Sequence, residues 1–330
     1  MGWVKLESHR KQILAGKYRW YAGELEDAGY RLGVLETGEL QMIVSAEGTF
    51  QTGYEARGTA ALETGVWQHV AGVFDPQAQE LRLYAYIQLN RRADGLRGYW
   101  TLDEAGGTRA DTSGNGNHLT AYNTVGATTG QWGLAADLEL SNQEYLSIAH
   151  TLQQGLAITG SLTLAGWIKP ESLNSTMIMA AKYEYGVTNR AYRFDLRSGG
   201  QLGWLVSSDG LLDDTKNRLL SDAGVVAAGT WYHVAAVFDA QAQALRLYLD
   251  GAEIAAKSVD FTTMFVSSAP FMLGADVGSG SVVQHFDGLL DDWTIYDRAL
   301  SRLEIAALMA PPAAPAALSL IHISEPTRPY

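Results

Sequence analysis

Short stretches in which apolar and polar residues alternate recur along most of the chain. Residues 245–249 alternate leucine with arginine and tyrosine, and this period of two is typical of a strand with one buried face. Residues 231–239 form an apolar run rich in valine and aromatic residues, which suits a central strand. Glycine and polar clusters separate further strands, which we predict at 161–168, 192–196, 201–207, 271–273 and 293–296.

Two local signals predict a hairpin and a helix. Asp250-Gly251 indicates a tight hairpin, because both central residues of a type I′ turn need positive φ. Ser301 and Glu304 form a capping box, in which each side chain accepts a free backbone N–H. We expect this helix to cover 305–308 and to end before two prolines. Many short antiparallel strands with turns between them predict an all-β sandwich or jelly roll.

One pair of predicted strands occurs twice. Residues 67–84 read WQHVAGVFDPQAQELRLY, and residues 231–248 read WYHVAAVFDAQAQALRLY. A repeat this close sets the architecture. The first copy is incomplete, because it begins at its tryptophan strand, GWVK at 2–5, and ends near Tyr84. It lacks counterparts of the opening loop and the closing strands of the second copy.

We therefore expect three parts in the chain. Residues 1–95 are a partial sandwich copy plus a junction, and 96–309 are a complete domain. Residues 310–330 are a Pro/Ala linker and a tail that resembles the translation of a transposase adapter used in short-read DNA libraries. We exclude that tail from the fold. The chain is expected to be a fragment of a longer parent with other domains, so its native termini stay open.

Composition narrows the classes of partner. The net charge of −12 argues against nucleic acid and anionic membranes, since both need a basic face. No apolar run reaches the ~18 residues of a spanning helix, so we predict no membrane insertion. Because the chain has no cysteine, disulfides and thiolate metal sites are excluded.

An ordered set of motifs in the second copy carries a family resemblance. The set consists of GYWTLDE at 98–104, DTSGNGN at 111–117, GWIK at 166–169, WYHVA at 231–235, LYLDG at 247–251, FDGLLDD at 286–292 and YDRALS at 296–301. Over residues 96–309 this set resembles the laminin-G-like, concanavalin-A-like jelly-roll domains of secreted bacterial proteins. The resemblance implies an antiparallel jelly-roll β-sandwich that lies outside the cell or on its surface.

The function implied by the resemblance is a non-catalytic carbohydrate-binding or adhesion module of a larger secreted protein. Its partner would be a glycan or a cell-surface polysaccharide. Two alternatives stay open: a protein–protein interaction or structural spacer module, and an accessory domain of a glycoside hydrolase whose catalytic part lies elsewhere. Fold alone does not choose among them.

The sequence predicts no enzyme. Glycoside hydrolysis needs two carboxylates that face one cleft. The acidic stretches Glu24–Asp27 and Asp213-Asp214 are both interpreted as loops, and the first has no counterpart in the second copy. No nucleophile elbow, zinc-binding helix or phosphate loop is present. His69 and His233 recur in the two copies within strands, where a packed core histidine is the favoured interpretation.

Aromatic residues near loops are the candidates for sugar contact. Tyr183 and Tyr185 flank one loop, and Trp204 lies on a strand close to Asp209. Sugar sites combine flat apolar faces with a few polar groups, so these four residues form the predicted ligand site. The alternative for each aromatic residue is a place in the core.

Residues 111–117 are the candidate metal site. Asp111, Ser113, Asn115 and Asn117 place side-chain oxygens at alternate positions, as in the first half of a helix-flanked calcium loop. The twelfth position and the flanking helices of that loop are missing, so other residues must complete the site. The first and last strands of a jelly roll pair, which would bring Asp291 near, and the resemblance also implies a structural Ca²⁺. The alternative is a plain turn.

Overall fold

The computed structural model describes residues 2–21, 24–48, 54–62, 64, 67–75, 80–86 and 94–311. The chain divides into two compact units, Met1–Asn90 and Arg91–Tyr330. Most of the expected junction, the tail from 312 onward and the side chain of His69 lie outside the described residues. Among the helices of the described part, none is long and apolar enough to cross a membrane.

The first unit is built from antiparallel strands in two sheets. The strands are β1 (Gly2–Lys5), β2 (Gln12–Tyr21), β3 (Glu24–Val34), β4 (Glu39–Gly48), β5 (Tyr54–Ala61), β6 (Trp67–Asp75) and β7 (Glu80–Tyr86). One sheet has the order β1-β6-β7 and the other β2-β3-β4-β5. A small apolar cluster that includes Leu32, Leu40 and Val70 is buried in this unit.

The second unit holds the remaining strands and the one described α-helix. The strands are β8 (Leu96–Trp100), β9 (Thr120–Tyr122), β10 (Gly126–Thr129), β11 (Leu134–Leu138), β12 (Tyr145–Ile148), β13 (Leu162–Pro170), β14 (Met177–Tyr185), β15 (Arg190–Arg197), β16 (Gln201–Val206), β17 (Arg218–Leu220), β18 (Tyr232–Asp239), β19 (Ala244–Leu249), β20 (Ala252–Ser258), β21 (Phe271–Leu273), β22 (Asp276–Gly278), β23 (Ser281–Val283) and β24 (Gly288–Tyr296). The α-helix α1 covers Arg302–Leu308, and 3₁₀ turns lie at Leu140–Asn142 and His150–Leu152.

Two sheets make up the sandwich of the second unit. One has the order β10-β11-β24-β13-β18-β19-β20, with β8 also paired to β24. The other has the order β17-β16-β15-β14-β21-β12-β9, with β22 paired to β14 and β23 paired to β22. A continuous apolar core that includes Trp100, Trp204 and Trp293 is buried in this unit. The predicted antiparallel jelly-roll β-sandwich is confirmed.

The local signals of the sequence are confirmed at the hairpin and the helix. Asp250 and Gly251 have φ of 48° and 76°, as a type I′ turn requires. Ser301 and Glu304 form the reciprocal capping box, although the helix begins at Arg302, earlier than predicted. The opening strand β8 pairs with the closing strand β24, with Trp100 opposite Trp293.

Equivalent positions of the two sequence copies pair in the same register. Trp3 lies opposite His69 in the first unit, and Trp167 lies opposite His233 in the second. His233 is buried and packs edge-on against Trp167, with ring centroids 5.3 Å apart. The predicted core role of His233 is therefore confirmed.

One interpretation of the acidic stretches was wrong. Residues Glu24–Asp27 open strand β3 and do not form a loop. Alternation of small and acidic residues hid this strand, because its apolar positions are few. Asp213-Asp214 does lie in a loop, between β16 and β17.

Candidate functional site

The Asp111 carboxylate holds three backbone N–H groups. Asp111 is 6% exposed. Its Oδ1 accepts from the amides of Tyr99 and Ser113 at 3.0 and 2.9 Å, and its Oδ2 accepts from the amide of Asn117 at 2.9 Å. N–H donors thus surround the oxygens that a cation would need.

The other predicted ligands of this loop are hydrogen-bonded in the same way. The Oγ of Ser113 accepts from the side-chain amide of Asn115 at 3.0 Å. Asn117 is fully buried, its Oδ1 accepts from the amide of Gln154 at 2.7 Å, and its Nδ2 donates to carbonyls of Arg97 and Gln154. The loop is held by side chain–backbone hydrogen bonds, which favours the turn interpretation.

Asp291 is directed at a different backbone segment. It is fully buried on β24, and its Oδ2 accepts from the amides of Gln131 and Trp132 at 2.8 and 3.1 Å. Its Oδ1 has no hydrogen-bond partner among the described residues. Burial, and next the nearby Asp292, raise the pKa of Asp291 to about 7, although the two amides lower it. An unpartnered buried oxygen is a site that a proton or a cation would satisfy.

The calcium site therefore stays a prediction, and its best support is Asp291. The Asp111 loop and Asp291 bind separate backbone segments, so the structure does not assemble them into one shell. Calcium takes six to eight oxygens at irregular geometry, and at Asp291 it would need the loop 130–134 to supply carbonyls.

A second group of carboxylates was not found from the sequence. The carboxylate oxygens of Glu139, Glu171 and Asp287 lie within 4.8 Å of one another. Burial and the charges of its acidic neighbours raise the pKa of Glu139. These residues flank β11, β13 and β24, which are neighbours in the sheet but distant in sequence. Exposed acidic groups often cluster without an ion, so the group carries no assignment.

Two of the four predicted ligand contacts were wrong, because their side chains belong to the interior. Trp204 is fully buried, and its indole N–H donates to the carbonyl of Val237 in the opposite sheet at 3.1 Å. Tyr183 is 2% exposed, and the guanidinium of Arg193 lies 4.9 Å from its ring centroid. Neither ring offers a face to a sugar.

The other two residues are exposed. Tyr185 is 38% exposed and packs over Gly278, where a Cβ would come within 2.3 Å of the ring. The Oδ1 of Asp209 accepts from Ser207 Oγ and the Leu211 amide at 3.1 and 2.9 Å, which defines a tight turn. The structure does not place these two side chains in a shared cavity.

An open groove lies elsewhere, where the edge strands of the two sheets approach. Its volume is about 510 Å³, and it is lined by Arg197, Asp214, Arg218, Leu219, Leu220, Ala256 and Lys257. Strand β17 supplies the apolar wall through its leucines, and β20 supplies the opposite wall. The groove thus combines a small apolar surface with charged groups on one side of the sandwich.

A layer of buried charge supports this groove. Arg193, Asp195 and Arg197 alternate along β15 and share the outer face of their sheet, opposite the core residue Phe194. Arg193 Nη1 donates to Asp276 Oδ2 at 3.3 Å, and its Nε lies 3.5 Å from Asp195. The charged residues at every second position of RFDLR, residues 193–197, were the signal in the sequence that could have revealed this layer. The sequence does not show that β17 and β20 lie beside it.

Comparison with known proteins now identifies the family. A model described as the concanavalin A-like lectin/glucanases superfamily matches residues 2–88 and 140–306. The chain belongs to this superfamily. Both sequence copies contribute to the match, so the resemblance found in the second copy is confirmed. A search of the curated proteins finds no match.

Solved structures with the superfamily fold are similar to part of the chain. Domain 4 of AbnA, a GH43 extracellular arabinanase from Geobacillus stearothermophilus, in complex with arabinotriose, is 21% identical at a TM-score of 0.46, covering 65% of this chain and 98% of that one. The binding domain of botulinum neurotoxin DC in complex with SialylT is 13% identical at a TM-score of 0.50. Its match covers 66% of this chain and 51% of the toxin chain. At these identities the likeness describes the fold alone.

Substitution of Trp204 and Tyr185 should separate core from surface. Trp204→Ala leaves a large cavity and should lower the free energy of unfolding by about 3–5 kcal/mol. Tyr185→Ala removes an exposed ring and should cost less than about 1 kcal/mol. Urea denaturation of both variants checks this. A Trp204→Ala variant as stable as the parent would contradict the core assignment.

Calcium should raise the melting temperature of a metal-free sample by about 5 °C at saturating concentration, because an ion that binds only the folded state stabilises it. Asp291→Asn should abolish this rise in melting temperature. Asp111→Asn tests whether the loop 111–117 contributes to the same calcium site. Glu171→Gln is the matched control at the other carboxylate group. Equal melting temperatures with and without millimolar calcium would contradict the calcium site and leave the plain turn as the remaining interpretation.

Stability should fall as pH rises from about 4 to about 7. Burial raises the pKa of Asp276 to about 7, so the folded state holds a proton that the unfolded state releases. The stability lost is at most about 4 kcal/mol, because the pKa rises from 3.8 to about 7 on folding and each pKa unit is worth about 1.4 kcal/mol. Asp276→Asn should flatten this dependence in thermal melts at pH 4.5–8, whereas the exposed Asp260→Asn controls for loss of charge. An unchanged slope in Asp276→Asn would contradict the assignment.

Proposed function

We propose that residues 96–309 form a non-catalytic carbohydrate-binding module that binds a glycan or cell-surface polysaccharide. The module would act in targeting or adhesion, outside the cell or on its surface, within a longer parent protein. Membership in a superfamily of lectins and glucanases supports the broad class, and the open groove between β17 and β20 is the observation that carries the proposal.

The groove has the properties of a sugar site. Binding sites for small molecules are concave, with an apolar surface and a few fixed polar groups that orient the ligand. Here the exposed Leu220 supplies the apolar surface, and Arg197 and Lys257 supply donors. Lys257 Nζ is itself fixed, because it donates to the carbonyl of Arg218 at 2.9 Å. The Lys257 ammonium is therefore positioned before a ligand arrives.

The same lining supports a role without catalysis. Asp214 is the one carboxylate that lines this groove in the part of the chain that the structure describes, and it pairs with Arg218 at 2.8 Å. Cleavage of a glycosidic bond requires two carboxyl groups on opposite sides of the bond. A groove with one ion-paired carboxylate suits binding and release of an unchanged glycan.

A glycan array with the fluorescently labelled full chain tests the function. We expect binding to at least one glycan and a loss of about tenfold or more in Ala256→Trp, because the new ring fills the groove. Ala252→Trp is the matched control, since Ala252 is exposed on the same strand but does not line the groove.

The outcomes separate function from location. Glycan binding that survives Ala256→Trp would move the site away from the groove and keep the function. An array without a single bound glycan would contradict the proposal and favour the structural spacer.

A further inference from the structure

The groove is cationic although the chain as a whole is acidic. Arg197, Arg218 and Lys257 line it together with the single carboxylate Asp214. The chain carries a net charge of −12. Three cations in one concave region therefore depart from the average surface and make a local field that attracts an anion.

Arg218 is the deepest of these cations and keeps an unused donor. Its side chain is 9% exposed. One guanidinium nitrogen, Nη1, pairs with Asp214, but the buried Nε–H has no hydrogen-bond partner among the described residues. A buried donor without a partner costs stability that a bound acceptor would restore. A guanidinium presents its N–H groups in a fork that matches a carboxylate.

The ion pair that Arg218 makes is buried at one end and exposed at the other. The Arg218 side chain is 9% exposed, whereas the Asp214 side chain, in the loop before β17, is 61% exposed. A ligand carboxylate can therefore take the place of Asp214 on Arg218, because Asp214 can turn into water.

The charges beneath the groove balance one another and add no net positive charge, since the two carboxylates of this layer pair with Arg193 and one of them, Asp195, also lies 3.8 Å from Arg197. Arg193 lies in the layer under Arg197 and Arg218, with Asp195 and Asp276 as its partners. Burial is the main cause that lowers the pKa of Arg218, and the charges of Arg193 and Arg197 lower it further. The carboxylates of Asp195 and Asp214 raise the same pKa. The excess of positive charge is therefore confined to the lining of the groove, where Arg197, Arg218 and Lys257 stand beside Asp214.

The lining also argues against a purely neutral sugar. Among the described residues no aromatic ring lines the groove, so a neutral pyranose would find only leucine and alanine surface to pack against. The predicted aromatic platform is not available here, because Trp204 and Tyr183 are interior residues. Charge is the stronger source of specificity in this groove.

The first copy has a different residue at the key position. Leu205 lies opposite Arg218 in the second unit, and Ile43 lies opposite Glu55 at the matching register of the first. Glu55 is a carboxylate that pairs with Arg57, so it does not supply the positive charge that Arg218 supplies in the second copy. At this position the second copy therefore has a cation where the first copy has a carboxylate.

We infer that the groove between β17 and β20 binds an acidic sugar, one whose carboxylate is held by Arg218 and Arg197. This inference rests on the proposed carbohydrate function and names the class of glycan. The sugar ring would lie on Leu220, which is 39% exposed, and the carboxylate would replace Asp214 on Arg218.

Isothermal titration of the full chain tests this inference at constant ionic strength. The acidic probes are sodium glucuronate and sodium N-acetylneuraminate, and glucose is the neutral probe. At least one acidic probe should bind about tenfold more tightly than glucose, as a charge-assisted hydrogen-bond pair allows. Arg197→Gln should weaken that binding about tenfold, and Arg246→Gln is the matched control, an arginine paired with Glu253 on the outer strands.

Asp214→Asn gives a result of opposite sign. It removes the competitor for Arg218 and leaves the groove in place, so acidic-sugar affinity should rise severalfold. A merely structural role for Asp214 would not produce a gain. Asp214 is largely exposed, so this variant is expected to fold.

The contradicting outcomes are distinct. If Arg197→Gln and Asp214→Asn leave the affinity for acidic sugar unchanged while the array still shows glycan binding, this inference is wrong and the carbohydrate function stands. If neither acidic probe binds, the inference is likewise wrong. Sodium acetate that binds as tightly as the acidic sugars, with the same response to both variants, would show a bare anion site and overturn the sugar assignment.

Discussion

The closing strand β24 is the element on which the second unit depends. It pairs with β8, β11 and β13, so three segments that are distant in sequence meet on one strand. All nine of its residues are buried. Trp293 of this strand packs over Gly166, where a Cβ would come within 2.6 Å of the indole. The glycine is required there because any side chain would displace the tryptophan that fills the centre of the core.

Much of the fold follows from local patterns, and the errors follow from what those patterns leave out. Strand alternation, the Asp250-Gly251 turn and the capping box each describe an interaction within a few residues, and each was confirmed. The start of β24 was placed too late, because FDGLLDD has the composition of a turn. Its acids are tolerated within a buried strand only through backbone and side-chain partners on other segments, such as the amides that hold Asp291.

The candidate site was harder to predict because it is assembled from distant segments. Trp204 was taken for a surface residue because the strand it occupies is followed by a polar loop. Both faces of β16 are covered, so alternation does not tell which residues meet solvent. The groove joins β15, β17 and β20, and no spacing in the sequence shows that the last two are the edges of opposing sheets. A basic groove is also invisible in the overall charge of an acidic chain.

The position of Lys257 also affects whether two molecules of this protein can pair through their edge strands. Strands β17 and β20 end their sheets, and edge strands present unpaired carbonyls that another chain can join. The Lys257 ammonium from β20 binds the carbonyls of Thr215 and Arg218 beside β17. One carbonyl of β17 that a foreign strand could use, that of Arg218, is thereby occupied, and the lysine places a charge at the edge. The same lysine that furnishes the groove thus also protects the sandwich from edge-to-edge aggregation.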